Sequence, residues 1–376
     1  MESKFEECSP ESLCTLGDSI QTQADLFQSR SSQFEPGLRT QDASPPVQMT
    51  SESRLLEQAN CARELHAAKL GTNDPVVKLA YRCLVEQFDE MLAEAPRAWE
   101  GLDPEGVHQM RVATRRLRAA FRAFRKVLPA SVIKDFNQEF KWVAAVLGDV
   151  RDLDVYCENF RQYTTAIPHQ DRLCLDRYQE HLAENWRTAR KALLECLSGQ
   201  RYEKLKDDFR TFLMSEISGA VKQSAGSLTI GDAARRFIGR QYRKVLTAGR
   251  SIEESTADEK LHQLRIDCKR LRYLFEFFRP VYGSSLSVFI KRLKRLQDVL
   301  GEFQDACVAT DRLRQYAESV PLGNECRGEL LALGQLINTQ YQEAGNKRAE
   351  FDRAWKKFDR KGERKKLIST LAGGAD

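Results

Sequence analysis

Two stretches of this chain concentrate side chains that bind anions. Residues 107–125 read VHQMRVATRRLRAAFRAFR, and residues 261–279 read LHQLRIDCKRLRYLFEFFR. At about 100° per residue, His108, Arg111, Arg115, Arg118 and Arg122 fall within about 80° of one helix arc. Met110, Leu117, Phe121, Phe124 and Leu128 take the opposite side, as a core-facing stripe does. The second stretch sets His262, Arg265, Lys269 and Arg272 against Leu264, Leu271, Phe275 and Phe278. Arg116 and Arg270 flank the two basic faces. Arginine forks grip two phosphate oxygens at once, and lysine adds a point charge. Histidine donates a hydrogen bond when neutral and gains charge beside a phosphate.

Such a face is costly to leave alone. Residues 107–134 hold eight Lys/Arg and no Asp or Glu, and like charges one turn apart destabilise a helix by about 0.2–0.5 kcal/mol per pair. Something negative must face them, either carboxylates of a neighbouring helix or a ligand. Single-strand binders interleave cations with aromatic rings. Here the rings lie opposite the cations, which favours a ligand with phosphates and nothing to stack.

The elements that position these faces come in two copies. Nine of the 19 aligned positions are identical, where chance gives about one, so the chain contains a duplication. The same offset pairs LAYRCLVEQFDEML (79–92) with AARRFIGRQYRKVL (233–246). After one deletion, LGDVRDLDV (147–155) meets LGEFQDACV (300–308). The pattern is all-α, with about four helices per copy: near 75–95, 104–128, 131–149 and 152–197, then 231–250, 257–279, 284–302 and 305–360. Lys141 corresponds to Lys294, which Lys291, Arg292 and Arg295 surround, and Arg82 corresponds to Arg236. Arg187, Arg190 and Lys191 of the fourth helix stand opposite Lys347 and Arg348. Arg82, Arg122, Arg236, Lys291 and Arg295 are further candidate phosphate contacts. Two copies packed about a pseudo-two-fold axis would line one basic channel with both faces.

Local signals mark the helix ends. Asp74-Pro75 and Asp103-Pro104 read as N-caps followed by proline, and Thr256 with Glu259 reads as a capping box. Pro129 and Pro280 would stop the helices before them. Gly148 would end a helix, leaving Asp152, and Asp305 in the second copy, to cap the next or to orient a basic side chain.

Of 376 residues, the first 53 carry a net charge of −6 and the remainder +11. The boundaries read as an acidic, largely disordered tail (1–73, with a short helix near 53–69), a first bundle (74–200), a connector (201–230), a second bundle (231–365) and a flexible end (366–376). A basic body suits a polyanion. No apolar run reaches the roughly 18 residues needed to cross a bilayer. Ten scattered cysteines without CxxC point to buried thiols in a reducing cytoplasm. Neither GxSxG nor GxxxxGK[ST] occurs. The histidines lie among arginines that would repel a metal, so neither metal nor cofactor is expected. Asp149, Asp152 and Asp154 beside Arg151 support a lesser alternative, a metal-dependent polyphosphate hydrolase. A nucleic-acid binder is the other alternative.

HxxRxxxRRLR (108–118) and HxxRxxxKRLR (262–272), each followed by LGxxxD (147–152 and 300–305), resemble the CHAD domain, over roughly residues 74–365. The resemblance implies two four-helix bundles about a pseudo-two-fold axis, a basic central channel, and binding of inorganic polyphosphate at polyphosphate granules without catalysis. It implies phosphate contacts at His108, Arg111, Arg115, Arg116, Arg118, His262, Arg265, Lys269, Arg270 and Arg272, with Lys141 and Lys294 second in rank. The sequence departs from a symmetric pattern where Glu276 stands opposite Arg122. It also lacks the ExExK motif of the tunnel domain fused to some relatives.

Overall fold

The computed structural model describes residues 68–222 and 228–373. They are helical apart from turns and one isolated antiparallel bridge between Pro75 and Thr229, so the all-α expectation holds. The first copy forms α1 (Val76–Glu100), α2 (Pro104–Ala123), α3 (Ala130–Thr164), the single turn α4 (His169–Arg172), α5 (Asp176–Ser198) and α6 (Gln200–Lys222). The second forms α7 (Ile230–Arg250), α8 (Asp258–Tyr282), α9 (Ser284–Ser319), α10 (Arg327–Phe358) and α11 (Glu363–Gly373). In each copy the second helix packs on the first and third, and a later helix returns along the long third one. A closing helix, α6 or α11, then lies on the first helix of its copy.

Local chemistry builds the turn that starts α2. α1 ends at Gly101, whose φ of 70° is the left-handed conformation glycine tolerates, with its N–H donating to Arg97 O. Asp103 then caps α2, accepting from the N–H groups of Glu105 (2.6 Å) and Gly106 (3.2 Å), and Pro104 follows as expected. Gly106 is the contact point of the two helices: a Cβ there would stand 2.6 Å from the Arg97 carbonyl carbon. Gly106→Ala must push α2 off α1, at a cost of about 1–3 kcal/mol, read as a lower urea midpoint.

Several expected boundaries move. α3 and α9 run 35 and 36 residues straight through Gly148 and Gly301, so Asp152 and Asp305 lie mid-helix and cap nothing. Burial overrides the glycine: Leu147, Val150, Tyr156 and Phe160 continue the buried stripe of α3 past Gly148. The N-cap residue of α1 is Pro75, while Asp74 accepts from Gly71 N–H. No Thr256–Glu259 box forms, because the Thr256 hydroxyl accepts from Glu253 N–H and Ala257 precedes α8. Pro129 stands at the start of α3, but Pro280 sits inside the last turn of α8, which ends at Gly283.

The connector expected at 201–230 is mostly α6, and its Phe209 is a core residue. That ring lies 4.9 Å from each of Phe88, Phe136 and Phe140. The end expected to be flexible holds α11, with Leu367 and Leu371 buried; residues 374–376 lie outside the described residues. Most of the acidic tail, with nearly all of the short helix expected near 53–69, also lies outside them. Just before α1, Leu70 is buried, and Gly231 N–H donates to Thr72 O while Val76 N–H donates to Leu228 O. One buried cluster includes residues of both copies, from Leu70 to Leu371, and a smaller one joins the outer ends of α3 and α9 to α5 and α10. Within this frame α2 and α8 meet directly, Phe124 packing 5.9 Å from Phe277 and 6.2 Å from Phe278.

Candidate anion-binding site

The apolar contact between α2 and α8 brings their basic faces together. Tyr273 lies between them, with the Arg115 guanidinium 5.9 Å and that of Arg272 5.8 Å from its ring. Arg111, Arg115, Arg265 and Lys269 form the densest part. Burial, then Arg265, Arg115 and Arg111, push the Lys269 ammonium down to about 7 against the pull of Asp305. Arg265 is likewise depressed by burial and by Arg115 and Arg111, with Asp305 and Asp152 opposing. These shifts cross from one copy to the other. Farther along, desolvation, then Arg270 and Arg118, lower Arg122.

Carboxylates neutralise only part of this charge. Arg111 Nη2 lies 3.0 Å from Asp152 Oδ1, and Arg265 Nη2 lies 3.9 Å from Asp305 Oδ1. The two aspartates thus do orient basic side chains. Gly148 and Gly301 provide the bed: a Cβ at either would touch the Arg111 or Arg265 Nε at 3.7 or 3.9 Å. The aspartates are 56% and 53% exposed, so such pairs are worth about 0–1 kcal/mol each and yield readily to a stronger anion. Glu276 bridges the copies, 3.5 Å from Arg116 and 3.2 Å from Arg272, and Glu90 stands 3.9 Å from Arg116. Buried Asp267 holds Arg270 at 3.2 Å and Lys244 at 2.9 Å. Among the described residues no carboxylate reaches Arg115, Arg118, Arg122 or Lys269. The Nε atoms of Arg115, Arg118, Arg265 and Arg270 are buried without a hydrogen-bond partner. A buried unpaired donor costs about 1–3 kcal/mol, more when charged, so an incoming anion has several such penalties to relieve.

The two histidines match in sequence and differ in surroundings. Burial, then Arg151, with Arg115 and Arg111 behind it, lowers His108 against the opposing pull of Glu105. His262 is exposed, its Nδ1 2.7 Å from Gln304 Oε1. Arg151 and Gln304 occupy the same place in LGxxxD.

The other candidates have different surroundings. Arg82 pairs with Glu86 at 2.8 Å and donates to Ala68 O. Lys141, Lys291, Lys294 and Arg295 are exposed on α3 and α9. Arg292 pairs with Glu363 of α11. Arg236 instead joins Arg122 and Arg270 around a cavity beside α7. The fourth-helix cations are structural: Arg187 pairs with Glu180, Arg190 donates to Ala98 O at the end of α1, and Arg348 donates to Glu254 O after α7. Lys347 pairs with Glu302 at 3.0 Å, while Lys191 is exposed. Asp154 accepts from the Trp186 indole, and among the described residues no His, Cys, Asp and Glu group is placed to hold a metal. Tyr273 and Asp267 escaped the sequence reading. The one faint signal for Tyr273 was a ring opposite Ala119 in the repeat.

Fold and site together define an all-helical protein with twinned basic helices. A family model described as the CHAD domain matches residues 82–314, and the chain belongs to that family. It is similar to the uncharacterized proteins MT2285 and Rv2226 of two Mycobacterium tuberculosis strains, at 26% identity over 291 residues. The match covers 76% of this chain and 53% of theirs, so the chain spans about half the length of these relatives. The crystal structure of the CHAD domain from the plant Ricinus communis shares the fold, with a TM-score of 0.56 and 23% identity over 82% of this chain and 95% of that one. PptA from Streptomyces chartreusis also shares it, with a TM-score of 0.56 and 18% identity over 75% and 99% of the two chains. Among the described residues no helix is long and apolar enough to cross a membrane.

Proposed function

We propose that the paired faces of α2 and α8 bind inorganic polyphosphate without chemical turnover. The copies act as two tandem bundles about a pseudo-two-fold axis, and the faces line a shared basic channel. The observation that carries the reading is the convergence of the two faces: Arg115 of one copy lies 5.9 Å from the Tyr273 ring of the other, and burial, with Arg265, Arg115 and Arg111 nearby, lowers the Lys269 pKa. A flexible chain of phosphates follows such a line, replacing the weak partners Asp152 and Asp305. Membership of the CHAD family supports this choice among polyanions, and it also suggests a cytoplasmic protein associated with polyphosphate granules.

Titration with polyphosphates of graded length against orthophosphate, at two salt concentrations, tests the reading. Affinity is expected to rise with length until the channel is filled and to fall steeply with salt, by the counterion-release logic known for nucleic acids. Single-stranded RNA of equal charge should compete at least tenfold less well. RNA winning that competition overturns the reading in favour of a nucleic-acid binder. Divalent-metal-dependent phosphate release lost in Asp152→Asn overturns it in favour of a hydrolase.

A further inference from the structure

Beyond the basic ridge lies a cavity of about 370 Å³ walled by the C-terminal end of α2, by α7 and by α8. Its size falls within the roughly 300–1,000 Å³ usual for small-molecule sites. Seven cations surround it: Arg122, Arg125, Lys126, Arg236, Arg240, Lys244 and Arg270. Its apolar wall differs from that of the ridge, for Phe237, Tyr273, Leu274 and Phe277 line it opposite the small Ala119 and Ala123. Inorganic phosphates gain nothing from such a surface, whereas a planar heterocycle does. Tyr273 is 6% exposed, and its buried hydroxyl has no hydrogen-bond partner.

The duplication shows that this cavity is peculiar to one side of the molecule. Through the repeat, Phe237 corresponds to Cys83, so the other side lacks that ring, while Tyr273 and Phe277 there take the places of Ala119 and Ala123 here. Arg240, Lys244 and Arg122 correspond to Glu86, Glu90 and Glu276, so it has carboxylates where this side has cations. Both changes on one side favour a ligand with an aromatic part and several negative charges.

We propose that the cavity binds a nucleoside polyphosphate, its base against Phe237, Tyr273 and Phe277 and its phosphates on Arg125, Arg236 and Arg240. A base edge or ribose hydroxyl would pair with the Tyr273 hydroxyl. The cavity has room for one base, not for a strand of stacked ones.

Calorimetric titration of the full chain with ATP, inorganic tripolyphosphate and adenosine tests this. ATP is expected to bind at least tenfold more tightly than either of the others, and R125E/R240E is expected to weaken ATP at least tenfold with an unchanged melting temperature. ATP binding should survive Arg111→Ala with Arg265→Ala, which separates this site from the polyphosphate ridge. Tripolyphosphate matching ATP in the ridge variant, unaltered ATP affinity in R125E/R240E, or loss of ATP binding in the ridge variant overturns the proposal. If R125E/R240E lowers the melting temperature, Phe237→Leu removes only the ring and should cost at least fivefold in ATP affinity; no loss there overturns it equally.

Discussion

The variant carrying Arg111→Ala, Arg115→Ala and Arg265→Ala is expected to bind long-chain polyphosphate more than a hundredfold less tightly than the native chain. A hydrogen bond to a charged group contributes about 1.5–3 kcal/mol, and three removed together exceed the roughly 2.7 kcal/mol that a hundredfold represents. The slope of log affinity against log salt should also flatten by about 2, at about 0.7 per phosphate contact on a single strand. Folding should survive. Among the described residues Arg115 has no carboxylate within ion-pair range, and the partners of Arg111 and Arg265 are more than half exposed, so they rehydrate cheaply when freed. Arg187→Ala, which removes a cation paired with Glu180 on its own helix, provides the control and should change affinity less than twofold. Native-like affinity in the triple variant would place the ligand elsewhere.

The second large effect belongs to Lys269. The folded chain without ligand releases this proton near 7, and the unfolded chain releases it near 10.5. Between those values unfolding takes up a proton, so stability climbs as pH rises from about 7 to 10.5 and levels off on either side. A tenfold change in proton affinity is worth about 1.4 kcal/mol. The full difference, half discounted for solvent screening, leaves about 2 kcal/mol. Lys269→Met should therefore melt higher than the native chain at pH 6.5 and lose that rise with pH. Polyphosphate bound as proposed should restore the charge on Lys269, so binding is expected to take up a proton above pH 7 and affinity to decline as pH climbs. Calorimetry in buffers of different ionisation enthalpy reads that uptake directly. A melting temperature flat from pH 7 to 10 in the native protein would contradict the crowding of cations around this side chain.

The same side chains show how far the residue order reaches. Identical spacing of His108, Arg111 and Arg115 with His262, Arg265 and Lys269 is visible in the string itself, and so is the apolar stripe that tells which side of each helix faces inward. Helical periodicity is a local property, so the all-α architecture and the two basic faces could be read without coordinates. The duplication likewise showed that they are counterparts. The breaks expected at Gly148 and Gly301 fail because packing along both ends of α3 and α9 outweighs the propensity of one residue. The connector and the C-terminal end hide helices because a short amphipathic segment is stable only once its apolar face has a partner.

What no reading of spacing could decide is which charges meet. Spacing already sets Arg272 and Glu276 one turn apart on α8, but only the crossing of α2 and α8 brings Arg116 to the same carboxylate. It also sets Lys269 among the arginines of the other copy and Tyr273 between Arg115 and Arg272. Electrostatic energy depends on distance and on exclusion of water, and both arise from contacts between residues far apart in the chain. Residue order thus determined what each helix offers an anion. Tertiary packing decided which cations remain unpaired, and a cavity enclosed by three separate helices exists only after they have come together.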